Sequence, residues 1–287
     1  MSGSPSNLVC TRTNRQGGVV TEQTEWLPRD VDEEIPSAAR IYDYLLGGAH
    51  NFAADRRLGE KFIAALPSAR HVARLNRAFL RRAVLTLSEA GIRQFIDIGS
   101  GIPTVGNVHE IAREADPDSK VVYVDNEPVA VAHSELLLRD DPNAAMLQAD
   151  LLDPEGVFGH PRTAKLLDLS RPVGLLMVGV LHFAAPEHNP AEVMRRYREA
   201  LPAGSYLAVS HFTADIRPQD MREVSEVMRQ SADPIYPRSR SEIAELFEGF
   251  ELLDPGVVGT ALWRPEDESY ADEPGASQIY AGVGYKK

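Results

Sequence analysis

The spacing of apolar positions changes three times along the chain. Up to residue 34 it is mostly Ser, Gly, Thr, Asn, Gln and charge, with Trp26-Leu27 its largest apolar pair. Residues 1–34 are therefore expected to form a flexible tail, because so little apolar surface cannot offset the entropy of ordering. From residue 35 the spacing becomes helical. Ser37 stands as a hydroxyl cap before Ala38-Ala39-Arg40-Ile41-Tyr42-Asp43-Tyr44-Leu45-Leu46, and Gly47-Gly48 stops the run. Residues 55–66, closed by Pro67, predict a second helix. Residues 68–90 predict a third, with Val72, Leu75, Phe79, Ala83, Val84 and Leu87 near a helical repeat.

Beyond residue 93 short apolar runs alternate with helical stretches. Gln94-Phe95-Ile96-Asp97-Ile98-Gly99 runs into glycine, Val121-Val122-Tyr123-Val124-Asp125 ends in an acid, and Ala145-Met146-Leu147-Gln148-Ala149-Asp150 repeats the format. Residues 173–181 and Ser205-Tyr206-Leu207-Ala208-Val209-Ser210 make a fourth and a fifth run. Such alternation predicts an α/β fold, a Rossmann-like parallel sheet covered on both faces, with ligands at the carboxyl ends of its strands. Near the end, Phe250-Glu251-Leu252-Leu253, Val257-Val258 and residues 277–285 follow one another without a helix, which predicts antiparallel pairing. Residues 264–276 between them are acidic and Pro-containing, as a surface loop is. One domain over residues 35–287 is expected, a helical cap (35–92) before a core (93–287).

Composition narrows the chemistry. The chain carries 30 Lys and Arg against 42 Asp and Glu, a net charge of −12, which disfavours a phosphate-backbone binder and hence nucleic acid as partner. Cys10 is the single cysteine, so an internal disulfide and a Cys-rich metal site are excluded. The eight histidines show no metal-ligand spacing, and no metal is expected. The longest apolar stretch, residues 173–185, is interrupted by His182 and is shorter than the ~18 residues of a membrane span. Neither it nor the N-terminus reads as a span or a leader, and a cytoplasmic protein is expected.

The strongest chemical signal is Asp97-Ile98-Gly99-Ser100-Gly101-Ile102-Pro103-Thr104 at a strand-to-helix junction. Glycines there let the backbone approach a ligand, and the next helix offers N–H donors to an anionic group. A tight turn also needs glycine, and that simpler reading stands beside the first. Asp125 ends the next strand, where a carboxylate can accept from a ribose diol, with Asn126 beside it. Asp150 at the third strand end is placed to meet an adenine amino group. Acids at three successive strand ends favour a nucleoside ligand. Thr104 holds the third glycine position of the dinucleotide fingerprint, which weighs against a pyrophosphate.

With these features the chain resembles the class I S-adenosylmethionine-dependent methyltransferases over residues 36–287. More narrowly, Pro36-Ser37-Ala38-Ala39-Arg40-Ile41-Tyr42-Asp43-Tyr44-Leu45-Leu46-Gly47-Gly48-Ala49-His50-Asn51-Phe52, Arg74-Leu75-Asn76-Arg77-Ala78-Phe79-Leu80 and Asp97-Ile98-Gly99-Ser100-Gly101 resemble an actinobacterial methyltransferase family long catalogued as a domain of unknown function. Pro103, where a third glycine is common, departs from the general pattern. The resemblance implies a mostly parallel seven-stranded sheet with a C-terminal antiparallel pair, and S-adenosylmethionine as cofactor. It implies that Asp97, Gly99, Ser100 and Gly101 line the methionine and ribose. Asp125 and Asn126 would take the ribose hydroxyls, and Asp150 and Leu151 would edge the adenine.

Methyl transfer from a sulfonium is an in-line displacement, so positioning supplies most of the rate and a base is needed only for an acceptor that carries a proton. His182, after the fourth strand and in the position that faces the donor methyl in such a fold, and His211, after the fifth, are the candidate bases; a strand-end histidine bonded to backbone is the alternative for each. Tyr42, Tyr44, His50, Asn51 and Phe52 around the glycine pair are candidates for a lid over the acceptor, or a helix end with packed aromatics. Arg70, Arg74, Arg77 and Arg81 recur at helical spacing, as a solvated face or as anion-binding groups, with Asn76 and Arg77 the candidates for acceptor contact. A small-molecule acceptor is expected by elimination. An NAD-type oxidoreductase and a non-catalytic nucleoside sensor are the alternatives.

Overall fold

The computed structural model describes residues 12–13, 19–20, 28, 31–103, 106–265 and 278–287. Thr104, Cys10, most of the expected tail and nearly all of the acidic 264–276 loop lie outside the described residues. Strands β1 (Arg12–Thr13) and β2 (Val19–Val20) pair antiparallel. No helix among the described residues is long and apolar enough to cross a membrane.

Helix α1 (Ala38–Leu46) has the two ends its sequence specifies: Ser37 Oγ accepts from the Arg40 N–H, and Gly47 closes the helix at φ 85°. Helices α2 (Ala53–Ala65) and α3 (Ala69–Glu89) follow. The core then alternates β3 (Gln94–Ile98), α4 (Val108–Ala115), β4 (Lys120–Asp125), α5 (Pro128–Leu137) and β5 (Ala144–Gln148). After α6 (Pro154–Gly159) and α7 (Pro161–Leu166) come β6 (Gly174–Val178), α8 (Pro190–Ala200), β7 (Tyr206–Phe212), α9 (Pro218–Met228) and α10 (Arg240–Glu245). Short strands β8 (Glu251–Leu252) and β9 (Val258–Gly259) and the long β10 (Ile279–Tyr285) end the chain.

The strand order is β5-β4-β3-β6-β7-β10-β8, with β9 also on β10. The five strands from β5 to β7 are parallel and β10 runs antiparallel to β7. Strands β8 and β9 do not pair with each other. Both are antiparallel to β10, at Gly284–Tyr285 and at Tyr280–Ala281, as one edge strand interrupted by Asp254-Pro255-Gly256. Counted so, the sheet has its expected seven positions.

Because side chains alternate across a strand, Ile96 and Ile98 enter one core layer with Val122, Val124, Leu175 and Tyr197, while Phe95 enters the opposite layer with Phe79, Val84, Leu87 and Tyr123. Asp97 shares the face of Phe95, the face α3 covers. Helix α3 serves two layers: its first turns place Val72 and Ala73 in a third cluster with Ile41, Leu45, Phe62, Phe212 and Met228, and its remainder packs on the sheet. The chain reverses direction across the sheet between β3 and β6, so a crevice opens at their carboxyl ends.

Three expected strand ends differ. The 173–181 run is strand only over β6, which stops at Val178, and Leu181 belongs to a 3-10 turn. Strand β5 stops at Gln148, and Asp150 instead turns the chain, its Oδ1 accepting the Leu152 N–H at 2.8 Å. Strand β7 continues to Phe212 because its pairing with β10 extends to Phe212 opposite Ile279. His211 is therefore a residue within the strand, not one that follows it.

Candidate active site

Gly99 and Gly101 lie in the left-handed region, at φ 68° and 66°, where glycine is unstrained. At Gly99 a Cβ would also fall 2.2 Å from Val180 Cγ2. The Gly99 and Ser100 N–H groups donate to the Val124 carbonyl at 2.8 and 3.1 Å, joining the glycine loop to β4. Asp125, at the end of β4, is 8 % exposed. Its Oδ2 accepts from Gly101 N at 2.7 Å and its Oδ1 from Glu127 N at 2.9 Å. Burial pushes its carboxyl up to about 6 against these two donors, with the Glu127 charge adding to the rise. Burial pushes Asp97 up to about 7; the Arg77 guanidinium opposes this and Asp125 reinforces it.

Above the loop, Glu127 caps α5, its Oε2 accepting from Ala130 N at 2.7 Å. Its Oε1 meets Arg40 Nη1 at 2.5 Å, and Arg40 Nε meets Asp55 Oδ2 at 2.9 Å, with all three residues buried. A continuous polar path thus runs from Gly101 through Asp125, Glu127 and Arg40 to α2. Arg40, Asp55 and Glu127 were not singled out in the sequence. A charged residue inside the apolar Ala38–Leu46 run was the available signal for Arg40.

One cleft of about 1350 Å³, its open mouth included, takes in Asp97, Gly99, Ser100, Gly101, Asp125, Asn126 and Leu151. Tyr42, Asn76, Arg77 and His182 also line it. Tyr42 Oη donates to the Ala73 carbonyl at 3.1 Å and accepts from Asn76 Nδ2 at 3.3 Å; Asn76 Oδ1 accepts from Ser210 Oγ at 2.6 Å. The chain thus anchors β7 to both α1 and α3. Arg77 Nη2 donates to the Gly106 carbonyl at 2.7 Å.

Other candidates lie outside the cleft wall. Asp150 is exposed, though its neighbours Ala149 and Leu151 are lining residues. Tyr44 bonds Glu60 and lies beneath the Arg70 guanidinium, 4.8 Å from the ring centre. Asn51 Nδ2 donates to Asp43 Oδ2 at 2.7 Å and to the Gly48 carbonyl at 3.0 Å, bracing the loop from inside. His50 Nε2 meets His133 Nε2 at 2.8 Å. Of the five candidate lid residues, Phe52 included, the tertiary structure brings only Tyr42 to the cleft.

The two histidines separate. His211 is fully buried within β7; Nδ1 is 2.8 Å from the Phe212 carbonyl and Nε2 is 2.6 Å from Arg238 Nη1. A guanidinium can only donate, so Nε2 accepts and Nδ1 carries the proton. Burial pushes this imidazole down to about 3. It does not line the cleft. His182 does, in the 3-10 turn Leu181–Phe183 after β6, and its buried Nδ1 has no hydrogen-bond partner. Burial first, with the nearby His211 ring and the Arg238 guanidinium also disfavouring a second positive charge, holds it well below the usual histidine range.

No curated protein matches the chain. A structure from Thermobifida fusca, named provisionally as a methyltransferase, is 41% identical and superposes with a TM-score of 0.87 over 92% of this chain and 100% of its own. A DUF574 family protein of Streptomyces avermitilis is also 41% identical, with a TM-score of 0.85 over 89% of this chain and 99% of its own. Neither a dinucleotide oxidoreductase nor a binding-only protein is what these matches describe. A model of the S-adenosyl methyltransferases accounts for residues 24–287, and the chain belongs to that family, an enzyme that uses S-adenosylmethionine.

Proposed function

We propose that the polar half of the cleft holds S-adenosylmethionine and that the methyl group passes to a small molecule bound under helices α1 to α3. The observation that carries this reading is one continuous cleft with two unlike halves, carboxylates and glycine backbone on one side and apolar cap side chains on the other. When bound, S-adenosylmethionine supplies an electrophilic methyl on a sulfonium. Four carboxylates, Asp97, Asp125, Glu127 and Asp233, line the cleft against one guanidinium, Arg77, among the described residues; with Glu127 paired to Arg40 behind the wall, the remaining balance is still negative and suits a cation. Ser100 Oγ is buried without a partner, and a Cβ at Gly101 would meet nothing within 4 Å, so open space adjoins the loop there. Both features suit a close-fitting polar ligand.

In this reading Asp125 and Asn126 take the ribose hydroxyls, Asp97, Gly99, Ser100 and Gly101 line the ribose and methionine, and Leu151 edges the adenine, with Asp150 at the rim. His182 faces the acceptor, with Tyr42, Asn76 and Arg77 around it. His211, Tyr44, His50 and Asn51 are supports. Residues 35–92 act as cap and 93–287 as core, α3 being common to both.

Titration calorimetry of the ligand-stripped protein tests the reading. Micromolar binding of S-adenosylmethionine and S-adenosylhomocysteine, weakened together in Asp125→Ala, is expected. Affinity unchanged in a folded Asp125→Ala protein would remove the polar half from the site.

A further inference from the structure

The acceptor half of the cleft has a composition of its own. Ile41 and Leu45 of α1, Phe62 of α2, Val72 of α3, Phe212 of β7 and Met228 of α9 all face it, each less than a tenth exposed. Aromatic rings surround its single imidazole: His182 lies 4.4 Å from the Phe183 ring centre and 4.8 Å from that of Phe212. Arg77, the one guanidinium of the cleft among the described residues, is engaged by the Gly106 carbonyl and neighbours Asp97 in the polar half. Asp233, the acid on the cap side, has its Oδ2 on the Ala38 N–H at 2.8 Å. A charged acceptor would therefore give up its hydration in an apolar chamber, an anion beside the cleft carboxylates and a cation beside the donor sulfonium, and a desolvated, unpaired charge is costly. A flat ring fits the aromatic edges. A buried imidazole nitrogen without a partner is completed by one polar hydrogen of a ligand.

We propose that this chamber takes an uncharged, ring-bearing acceptor with a single hydroxyl or ring N–H, and that the His182 imidazole receives the proton of that group. The proposal rests on the placement of the cofactor in the polar half. For a hydroxyl, the acceptor oxygen bonds the methyl carbon as the methyl carbon–sulfur bond breaks, its electron pair remaining on sulfur. The hydroxyl proton moves to the unprotonated nitrogen of His182. One positive charge leaves the sulfonium and one appears on the ring, so net charge in the chamber is conserved through the step. That conservation suits a histidine which burial keeps neutral until the transfer.

The test is calorimetric and needs no turnover. Protein saturated with S-adenosylhomocysteine is titrated with 4-ethylphenol, with 4-ethyltoluene, which lacks the hydroxyl, and with 3-(4-hydroxyphenyl)propanoate and tyramine, which add a negative or a positive charge. The phenol is expected to bind about tenfold more tightly than each of the other three, the scale of one hydrogen bond or one unpaired charge. In His182→Phe the preference for 4-ethylphenol over 4-ethyltoluene is expected to vanish while S-adenosylhomocysteine affinity stays within about twofold. His182→Gln, which keeps a polar group, is expected to retain part of the preference and serves if the phenylalanine variant does not fold. Equal binding of neutral and charged probes, no binding of the phenol, or a preference unchanged in the His182 variants would overturn the proposal. Failure of S-adenosylhomocysteine itself to bind would instead strike the cofactor placement.

Discussion

Arg40 of the first cap helix donates to the Glu127 carboxylate at 2.5 Å, and the backbone N–H of Glu127 holds Asp125. The cap is thereby tied electrostatically to the strand end that carries the candidate ribose acid. Removing one member of a buried pair leaves the other uncompensated, at about 3 to 5 kcal/mol. Arg40→Met is expected to lower the urea midpoint by an amount of that order and to weaken S-adenosylhomocysteine binding; the pairing of Arg40 with Asp55 contributes to the first effect. Chemical denaturation checks stability and calorimetry checks affinity. An unchanged midpoint would show that the pair contributes nothing net.

Asp125 already accepts two backbone N–H groups, so its substitution acts both on the ligand and on the loop. Asp125→Ala is expected to weaken cofactor binding by about 1 to 3 kcal/mol, the scale of charge-assisted hydrogen bonds. Asp125→Asn, which preserves shape and one acceptor oxygen, is expected to lose less. Equal losses in the two variants, read by calorimetry, would mean that loop disorder rather than lost ligand contact is being measured.

Cofactor affinity should depend on pH. Asp97 and Asp125 are held at about 7 and about 6 by burial, so both take up protons as pH falls through these values. A sulfonium favours the ionised forms, and its binding releases protons; affinity for S-adenosylmethionine therefore rises as pH increases from 5 to 8 and levels off above about 7. S-adenosylhomocysteine, whose sulfur is neutral, should show a shallower rise. Binding curves across that range decide the point, and parallel profiles for the two ligands would show that the carboxylates do not respond to the sulfonium charge.

A buried acid that is costly to ionise lowers stability. Burial raises the Asp97 carboxyl from its ordinary value of 3.8 to about 7, so the folded state binds its proton more tightly than the unfolded state does. Stability consequently declines as pH rises between those values and is lowest above them. Asp97→Asn removes the penalty and is expected to raise the melting temperature at pH 8, by at most a few kcal/mol of stability, while weakening S-adenosylmethionine binding. At pH 4 the two proteins should melt alike. A variant less stable at pH 8 would show that the charge is compensated in the folded protein.

Local patterns determined much of this molecule. Ser37 and Gly47-Gly48 delimit α1 because a hydroxyl cap and a left-handed residue act within one turn of their own positions. Runs such as Gln94–Ile98 and Lys120–Asp125 read as buried parallel strands because both of their faces are covered. The order of those strands places the glycine loop and Asp125 at adjacent carboxyl ends, so the polar half of the cleft was legible from spacing. The partners of each side chain were not. Arg40 reaches Glu127 across 87 positions and Asn76 reaches Ser210 across 134, distances over which periodicity carries no information. Tyr42 and Tyr44, two positions apart on one helix, end on different sides of the cap. His182 and His211 look alike as strand-end histidines, yet the length of the pairing with Ile279–Tyr285 draws His211 into the sheet and onto Arg238, while the 3-10 turn Leu181–Phe183 leaves His182 in the cleft. Local sequence could set where each element begins and stops; only the packing of distant elements decided which side chains line the cleft.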